Sequence, residues 1–248
     1  MIFEVLTLFP EIFTSFLSQS LLAKAIAKGI LTVNTINIRD FTHDRHQTAD
    51  DRPYGGGPGM VLKPEPLAEA LDDILRISPR PLIINLTPSG QLLNQNLVKT
   101  LSEHKRLALI CGRYEGVDQR IIDLYVDKEI SIGDYVVNGG EVPAMILIEA
   151  LARTIEGFLG SGDSIIEESH NHGLLEHPVY TRPRVFRKLA VPSILFSGNH
   201  QQIAAFRLAE AMAKTRDVRP ELLSDPDVVE RAVSVIGRAG APLSDKTK

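Results

Sequence analysis

Two glycine-rich loops are the segments of this sequence best suited to ligand chemistry. One covers residues 112–116, directly after the apolar run Leu107–Cys111, and the other covers residues 131–143. Glycine has no Cβ, so the backbone of both loops can approach a ligand closely. Loops at the ends of adjacent strands of an α/β sheet form a ligand-sized crevice. Polar side chains lie among the glycines, namely Arg113, Tyr114, Glu115 and Asp134. Together the two loops predict a ligand site.

The segment Arg39–Gly59 is a long, charged connection that contains a run of glycines. An irregular connection of about twenty residues is uncommon within a compact domain and is usually functional. Its arginines could hold an RNA backbone, because guanidinium groups bind phosphate through paired hydrogen bonds. His43 and His46 lack the cysteine pairs and further ligands of a zinc site. Met60 follows the glycine run where a phosphate loop requires lysine, so nucleotide hydrolysis is disfavoured.

Other reaction classes find little support in the sequence. No Gly-x-Gly-x-x-Gly motif follows the first predicted strand, and no Gly-x-Ser-x-Gly motif is present. A dinucleotide fold and a covalent hydrolase are therefore disfavoured. Cys111, the single cysteine, ends an apolar run and is predicted to be a buried residue rather than a nucleophile. Three carboxylates occupy the polar segment 157–173 and would ordinarily be solvated: Asp163, Glu167 and Glu168.

The composition predicts a globular cytoplasmic protein. Of its 248 residues, 44% are hydrophobic and 23% are charged, which is enough for a large core. A single cysteine allows no internal disulfide, which suits a reducing compartment. The N-terminus lacks the basic start and apolar region of a signal peptide, and no apolar stretch approaches membrane-spanning length.

Positive charge is concentrated in one part of an acidic chain. The net charge is −4, but Tyr180–Arg219 carries eight basic residues against two acidic ones. That segment has a balance of +6, so the remainder carries −10. A localised basic surface suits a polyanion bound at one place, although a solvated helix face would also carry such charges.

The elements that must position these residues alternate between strand and helix through residue 156, which predicts a mostly parallel sheet covered on both faces. The predicted strands are Ile2–Phe9, Thr32–Ile38, Pro81–Thr87, Arg106–Cys111 and Lys128–Ile132. The predicted helices are Glu11–Ala27, Glu65–Leu75, Gln91–Glu103, Val117–Tyr125 and Val142–Glu156. The glycine-rich and polar composition of residues 157–173 predicts a mobile linker. The predicted domain 174–248 is all-helical, with helices at Gln201–Lys214 and Asp227–Gly237.

Several long strings of this sequence closely resemble the bacterial tRNA (guanine-N1)-methyltransferases, which methylate guanosine-37. These strings extend over almost the whole chain in the family's order. They are residues 39–46 (RDFTHDRH), 50–60 (DDRPYGGGPGM), 111–116 (CGRYEG), 131–136 (SIGDYV), 139–145 (GGEVPAM), 180–183 (YTRP) and 197–200 (SGNH).

The resemblance implies a SPOUT-class fold: residues 1–156 would form an α/β domain with a deep trefoil knot that binds S-adenosylmethionine. It also implies a homodimer with its active site at the interface and a magnesium requirement whose ligands the sequence does not identify. The substrate that the resemblance implies is tRNA, and it implies neither DNA nor a membrane as a partner. By match, the cofactor would meet Leu86, Thr87, Pro88, Gly112, Tyr114, Glu115, Ser131, Ile132, Gly133, Asp134, Tyr135, Val136, Val137, Gly139, Gly140 and Pro143.

The resemblance also implies catalytic and tRNA-binding residues. The family's catalytic arginine matches Arg153, and its linker aspartate, the general base, aligns with Glu168 here. Glutamate has the same acid chemistry as aspartate with a longer reach, so the role of general base is expected to survive at Glu168. Glu167 and Asp163 stay open as alternatives. Glu115 is a plausible outer contact of the magnesium ion. The tRNA-binding residues implied are Arg39, His46, Arg52, Tyr54, Gly57, Arg182, Ser197, Asn199 and His200.

Overall fold

The computed structural model of the protein describes residues 1–159, 169–170, 173–225 and 227–239. Its strands are β1 (Ile2–Thr7), β2 (Thr32–Asn37), β3 (Asp50–Asp51), β4 (Val61–Leu62), β5 (Leu82–Leu92), β6 (Arg106–Cys111), β7 (Lys128–Ser131), β8 (Val185–Phe186) and β9 (Leu189–Ala190). Its α-helices are α1 (Phe13–Leu17), α2 (Ser20–Ala27), α3 (Pro64–Leu75), α4 (Gln95–Ser102), α5 (Gln119–Tyr125), α6 (Glu141–Ala152), α7 (His200–Val218) and α8 (Val228–Ala239).

A five-stranded sheet in the order β2-β1-β6-β5-β7 forms the centre of the N-terminal part. Every neighbouring pair in this sheet is parallel. The predicted α/β fold with a mostly parallel sheet is therefore confirmed. Because parallel strands need helical crossovers, both faces of such a sheet are covered, and its central strands are mostly apolar. All six residues of β6 are buried.

Alternate side chains of the strands point into two separate cores. On one face, residues such as Phe3 and Leu109 pack with side chains of α2, α4 and α6, for example Leu147. On the other face, residues such as Ile110 pack with side chains of α3 and α5, for example Leu67. The helices thus form two layers, with the sheet between them.

Strand β5 continues beyond its predicted end. The segment Thr87–Gly90 bulges out of register, and pairing with β7 resumes at Gln91 and Leu92. A Cβ at Gly90 would lie 2.4 Å from the backbone nitrogen of Ile130, so glycine allows the close approach of the two strands. The predicted helix start at Gln91 is therefore wrong, and α4 begins at Gln95.

Two further predicted elements differ from the structure. The single predicted helix Glu11–Ala27 is divided into a 3-10 turn, α1 and α2, with a break at residues 18–19. The segment Arg39–Gly59 is not irregular throughout, because β3 pairs with β4 in an antiparallel ribbon. Asp44 also orders this segment, accepting hydrogen bonds from the backbone nitrogens of His46 and Thr48.

The chain divides into two compact units, Met1–Gly160 and Ser161–Lys248. In the second unit, α7 and α8 pack through a small core that includes Leu174, Ala211 and Val228. The short strands β8 and β9 form an antiparallel ribbon in this unit. The prediction of an all-helical C-terminal domain is wrong for these four residues, because runs of two residues are too short to show strand periodicity in the sequence.

The predicted linker 157–173 lies largely outside the described residues. In the described part of the chain, no helix has the length and apolar character needed to cross a membrane.

A buried ion pair connects β1 with β6. The guanidinium of Arg106 donates to Glu4 Oε1 at 2.8 and 3.0 Å, and both residues are buried. The third nitrogen of Arg106 donates to the carbonyl oxygens of Ile74, Ile77 and Pro79. Arg106 therefore satisfies carbonyls at and beyond the C-terminal end of α3 as well as the buried carboxylate.

We expect the substitution Arg106→Leu to lower the free energy of unfolding by about 3–5 kcal/mol, because it leaves a buried carboxylate without its partner. Urea denaturation measures this change. Arg80→Leu is the matched control, since Arg80 pairs with Asp127 at 3.0 Å but is largely exposed. That substitution should cost about 1 kcal/mol or less. Equal effects of the two substitutions would contradict the importance of burial.

Candidate active site

A cavity of about 360 Å³ lies at the carboxyl ends of β5, β6 and β7, within the range of ordinary small-molecule sites. The two glycine-rich loops and the β5 bulge form its walls. Among the predicted cofactor residues, all but Gly133 and Asp134 line this one cavity. Their role in cofactor binding stays a prediction. The lining also includes residues outside the two predicted loops that the sequence did not suggest, namely Asn85, Ser89, Val117, Gln119, Ile122, Glu129 and Ile130.

The two glycine-rich loops are held together backbone to backbone. The Gly140 nitrogen donates to the Gly112 oxygen at 2.9 Å, and Arg113 forms an antiparallel bridge with Gly139. A Cβ at Gly140 would lie 2.5 Å from the Cα of Cys111. No side chain can enter that space without moving the backbone, so glycine at 140 allows the loops to meet.

A buried polar chain supports this junction. Thr7 Oγ1 donates to Glu141 Oε1 at 2.8 Å, and Glu141 is only 1% exposed. The other carboxylate oxygen of Glu141 lies 2.9 Å from Arg113 Nε, an ion pair without hydrogen-bond alignment. The Arg113 guanidinium also lies 4.6 Å from the centroid of the Phe9 ring. Residues from the end of β1, the first loop and the start of α6 thus brace one side of the cavity.

Cys111 lies beside this polar chain and is fully buried, in agreement with its predicted role. Burial raises the pKa of its thiol well above the ordinary value, and the neighbouring Glu141 carboxylate raises this pKa further. The opposing effect of Arg113 is smaller. Cys111 is therefore a neutral thiol at physiological pH and lacks the thiolate character of a nucleophile.

Two other walls are shaped by local hydrogen bonds. In the β5 bulge, the hydroxyls of Thr87 and Ser89 lie 3.0 Å apart. After β7, Ser131 Oγ donates to the Gly133 oxygen at 3.0 Å and accepts from the Gly133 nitrogen at 3.2 Å. The Tyr135 ring lies against Gly133, where a Cβ would overlap it. Gly133 thus shapes this wall from behind, although it does not line the cavity.

The end of the Arg39–Gly59 segment is connected to the first glycine-rich loop. The Glu115 nitrogen donates to the Met60 oxygen at 2.9 Å, and the Leu62 nitrogen donates to the Gly116 oxygen at 3.0 Å. The Glu115 side chain fills the space that a Cβ of Gly59 would need. A movement of the Gly55–Gly59 run would therefore change the position of the Glu115 side chain at the cavity.

The predicted catalytic residues are not brought to this cavity within the described residues of one chain. Arg153 follows the last residue of α6, whereas Pro143 at the other end of α6 lines the cavity. With a rise of 1.5 Å per residue, the two positions are about 15 Å apart along the helix. Glu168 and its alternatives Glu167 and Asp163 lie outside the described residues.

The predicted tRNA-binding residues occupy both units. In the first unit, Arg39 donates to the Gln47 oxygen at 2.8 Å, while Tyr54 is fully exposed. His46, Arg52 and Gly57 are also exposed in this segment. In the second unit, the predicted residues are exposed as well, and Asn199 caps α7 by accepting from the Gln202 nitrogen at 3.2 Å. The other predicted residues of this unit are Arg182, Ser197 and His200.

Within the described ranges, no group of three or more histidine, cysteine or acidic side chains could hold a metal ion. Glu129 faces the cavity, but its Oε1 accepts a hydrogen bond from Asn85 Nδ2 at 2.9 Å. Glu115 is exposed at the cavity. These residues do not form a ready-made magnesium site.

We expect Gly140→Ala to weaken S-adenosylmethionine binding by roughly tenfold, or 1.4 kcal/mol, because the methyl group separates the two loops. Equilibrium dialysis or calorimetry measures this affinity. Gly112→Ala is the matched comparison, because its Cβ would meet Val117 Cγ2 at 3.5 Å and the Gly116 Cα at 4.0 Å, both ordinary contact distances. An affinity loss for Gly112→Ala as large as that for Gly140→Ala would contradict the steric explanation.

Comparison with known proteins identifies the family to which this chain belongs. The family model described as tRNA (Guanine-1)-methyltransferase TrmD matches residues 1–225. A tRNA (guanine-N(1)-)-methyltransferase of Treponema denticola is 52% identical over 221 residues, which cover 89% of this chain and 90% of that protein. A protein of the same name from Geotalea uraniireducens is 50% identical over 223 residues, covering 90% of each chain. Another, from Clavibacter sepedonicus, is 47% identical over 226 residues, covering 90% of this chain and 99% of that protein. The chain therefore belongs to the tRNA (guanine-1)-methyltransferase family.

Proposed function

We propose that this protein transfers a methyl group from S-adenosylmethionine to N1 of guanosine-37 in tRNA. Membership of the family supports the reaction. The observation that carries the proposal to this chain is the cavity between the two glycine-rich loops, because most of the residues expected to meet the cofactor line it. We place the activity in the cytoplasm.

The cavity fits the cofactor in two respects. Its volume of about 360 Å³ lies within the range of small-molecule sites. Its two loops meet closely because residue 140 is a glycine, and this junction closes one side of the cavity. When bound, S-adenosylmethionine supplies an electrophilic methyl group on a sulfonium ion. The buried chain of Thr7, Glu141 and Arg113 keeps the walls in place around it.

The protein must remove a proton, because guanine N1 is protonated at neutral pH and is then a poor nucleophile. A carboxylate within hydrogen-bond reach of N1 can accept that proton as the methyl group is transferred. We assign this role to Glu168, with Glu167 and Asp163 as alternatives. As the proton leaves, negative charge develops on O6, and the guanidinium of Arg153 stabilises it. Cys111 takes no part, because it is a buried neutral thiol.

We further propose a homodimer in which Arg153 acts on the cavity of the partner subunit. The separation of about 15 Å along α6 supports this arrangement, since Arg153 is distant from the cavity end of its own helix. An apolar surface is also available for a second copy. Val142 and Ile146 are exposed one turn apart on the same face of α6. Phe9 and Ile12, in the segment that follows β1, are exposed as well.

The same proposal includes the trefoil knot, tRNA binding by the helical C-terminal domain and the magnesium requirement. The all-parallel order β2-β1-β6-β5-β7 supports a SPOUT-class fold. The +6 balance of Tyr180–Arg219 supports binding of the tRNA backbone. Because the described carboxylates form no ready-made metal site, we assign no step to magnesium and propose Glu115 as its contact.

The affinity for tRNA should fall steeply as salt rises, because each phosphate contact releases counterions. Filter binding at about 50 to 200 mM KCl measures this dependence, with an expected loss of roughly 10³-fold or more for six or more phosphate contacts. Replacing Arg182 with glutamine should make the dependence shallower. An affinity that does not change with salt would remove the electrostatic role of the basic segment.

The proposal is tested by methyl transfer to a tRNA transcript with guanosine-37 and to one with adenosine-37. We expect transfer to the first and none to the second. No transfer to either transcript, with S-adenosylmethionine and magnesium present, would indicate an RNA-binding protein without activity. Equal transfer to both would indicate a methyltransferase that modifies a different nucleotide.

A further inference from the structure

The C-terminal unit contains a second cavity, of about 540 Å³, that is separate from the site described above. We call it the arginine pocket. It lies between residues 177–184, residues 191–196 and one side of α7. Its lining combines three arginines (Arg182, Arg184 and Arg207) with aromatic and aliphatic side chains. No aspartate or glutamate is among the described residues that line it.

One wall of the arginine pocket is a stacked pair. The guanidinium carbon of Arg184 lies 4.4 Å from the centroid of the Phe196 ring, and Phe196 is 47% exposed. The backbone of Arg184 is fixed as well, because its oxygen accepts a hydrogen bond from the Val191 nitrogen at 2.9 Å beside the β8-β9 ribbon. The guanidinium is therefore presented on a rigid support, with part of an aromatic ring open next to it.

The remaining walls are suited to a flat, partly apolar group. Val191, Leu195 and Ile203 provide aliphatic surface, and Tyr180 provides a second half-exposed aromatic ring. Unstacked bases bind to proteins by stacking on aromatic rings and guanidinium planes, while arginine pairs with phosphate through two parallel hydrogen bonds. Both kinds of contact are available in the arginine pocket, whose described lining residues carry positive charge and no carboxylate.

We infer that the arginine pocket binds one unstacked nucleotide of the tRNA, with its base against Phe196 and its phosphate at the arginines. This inference rests on the proposed tRNA methyltransferase function and deepens it. The nucleotide is not guanosine-37, because that nucleotide must meet the methyl donor at the cavity of the N-terminal unit. The arginine pocket therefore reads a second position of the same tRNA.

The stacking contact is tested with two phenylalanines of the same unit. Phe196→Leu keeps the apolar character of the wall but removes its ring. Phe186→Leu is the control, because Phe186 does not line the arginine pocket. Phe186 is 61% exposed, and its ring lies 5.3 Å from the Arg187 guanidinium. We expect Phe196→Leu to weaken tRNA binding by roughly tenfold, and Phe186→Leu to leave it within twofold. Equal effects of the two substitutions would overturn the inference.

The phosphate contact is tested with two substitutions that each remove one positive charge. Arg184→Gln should weaken tRNA binding at least threefold more than Lys188→Gln, because Lys188 lies in the β8-β9 turn and does not line the arginine pocket. Equal losses would indicate a general electrostatic effect and overturn the inference. Heparin is the control ligand without bases. A pocket that reads a base predicts that Phe196→Leu leaves heparin binding unchanged, and an equal loss for heparin and tRNA would contradict it.

A direct signal comes from tryptophan fluorescence, because the chain contains no tryptophan. We expect tRNA to quench the variant Phe196→Trp strongly and Phe186→Trp weakly. Methyl transfer by the wild-type protein is measured alongside. If methylation proceeds but the two tryptophans respond alike, the arginine pocket is refuted and the proposed function stands. If the wild-type protein binds no tRNA, both fail.

Discussion

Glu168→Gln is expected to lower the rate of methyl transfer to tRNA by roughly 10²- to 10⁴-fold, the usual contribution of a general base. Glutamine keeps the size of the side chain but cannot accept the N1 proton. The affinity for S-adenosylmethionine should stay within a factor of a few, because Glu168 is not among the residues proposed to bind the cofactor. Single-turnover kinetics with saturating tRNA and donor measure the chemical step.

The two neighbouring carboxylates serve as controls for this assignment. If Glu168 is the base, as we propose, Glu167→Gln and Asp163→Asn should each change the single-turnover rate by less than about tenfold. A full loss of rate in one of these variants, with normal activity of Glu168→Gln, would move the base to that residue. Raising the pH should rescue the Glu168→Gln variant partially, since guanine N1 then loses its proton without help.

The second large effect is expected for Arg153→Met, which should lower the transfer rate by roughly 100- to 1,000-fold. Methionine fills a similar space but cannot stabilise the negative charge that develops on O6. Binding of S-adenosylmethionine should change little, because Arg153 does not line the cavity. The measurement is again the single-turnover rate, with donor affinity determined separately.

Mixing two defective proteins tests whether Arg153 acts across subunits. Arg153→Met chains retain an intact cavity, and Gly140→Ala chains retain Arg153. If Arg153 serves the partner's cavity, a mixed dimer contains one complete site. After subunit exchange at limiting donor concentration, activity should then exceed the average of the two parent proteins. Activity equal to that average would place Arg153 in its own subunit's site.

The inner strands of the sheet were largely predictable from the sequence, because burial on both faces leaves mostly apolar runs such as Leu107–Cys111. Strand β6 has its predicted bounds, and β1, β2 and β7 differ by two residues or fewer at one end. The bulge in β5 was not predictable in the same way, because Pro88-Ser-Gly90 has the composition of a turn. Only the tertiary pairing of Gln91 and Leu92 with β7 shows that the strand continues.

The candidate site shows the same division between local and tertiary information. The glycine-rich loops and their polar residues were visible as motifs. The buried chain of Thr7, Glu141 and Arg113 was not, because Thr7 and Glu141 are 134 positions apart and neither stands out locally. Gly140 was expected to meet the cofactor, but its close approach to Cys111 at the loop junction was not visible in the sequence. Long-range contacts of this kind have no periodic signature in one sequence.

The most direct test of the account is to map the methyl group on the product tRNA. Wild-type protein is incubated with S-adenosylmethionine that carries a trideuterated methyl group and with a tRNA that contains guanosine-37, and nuclease fragments are analysed by mass spectrometry. We expect the label in 1-methylguanosine at position 37 and at no other nucleotide. Label at another nucleotide, or an unlabelled tRNA despite bound donor, would refute the proposed reaction.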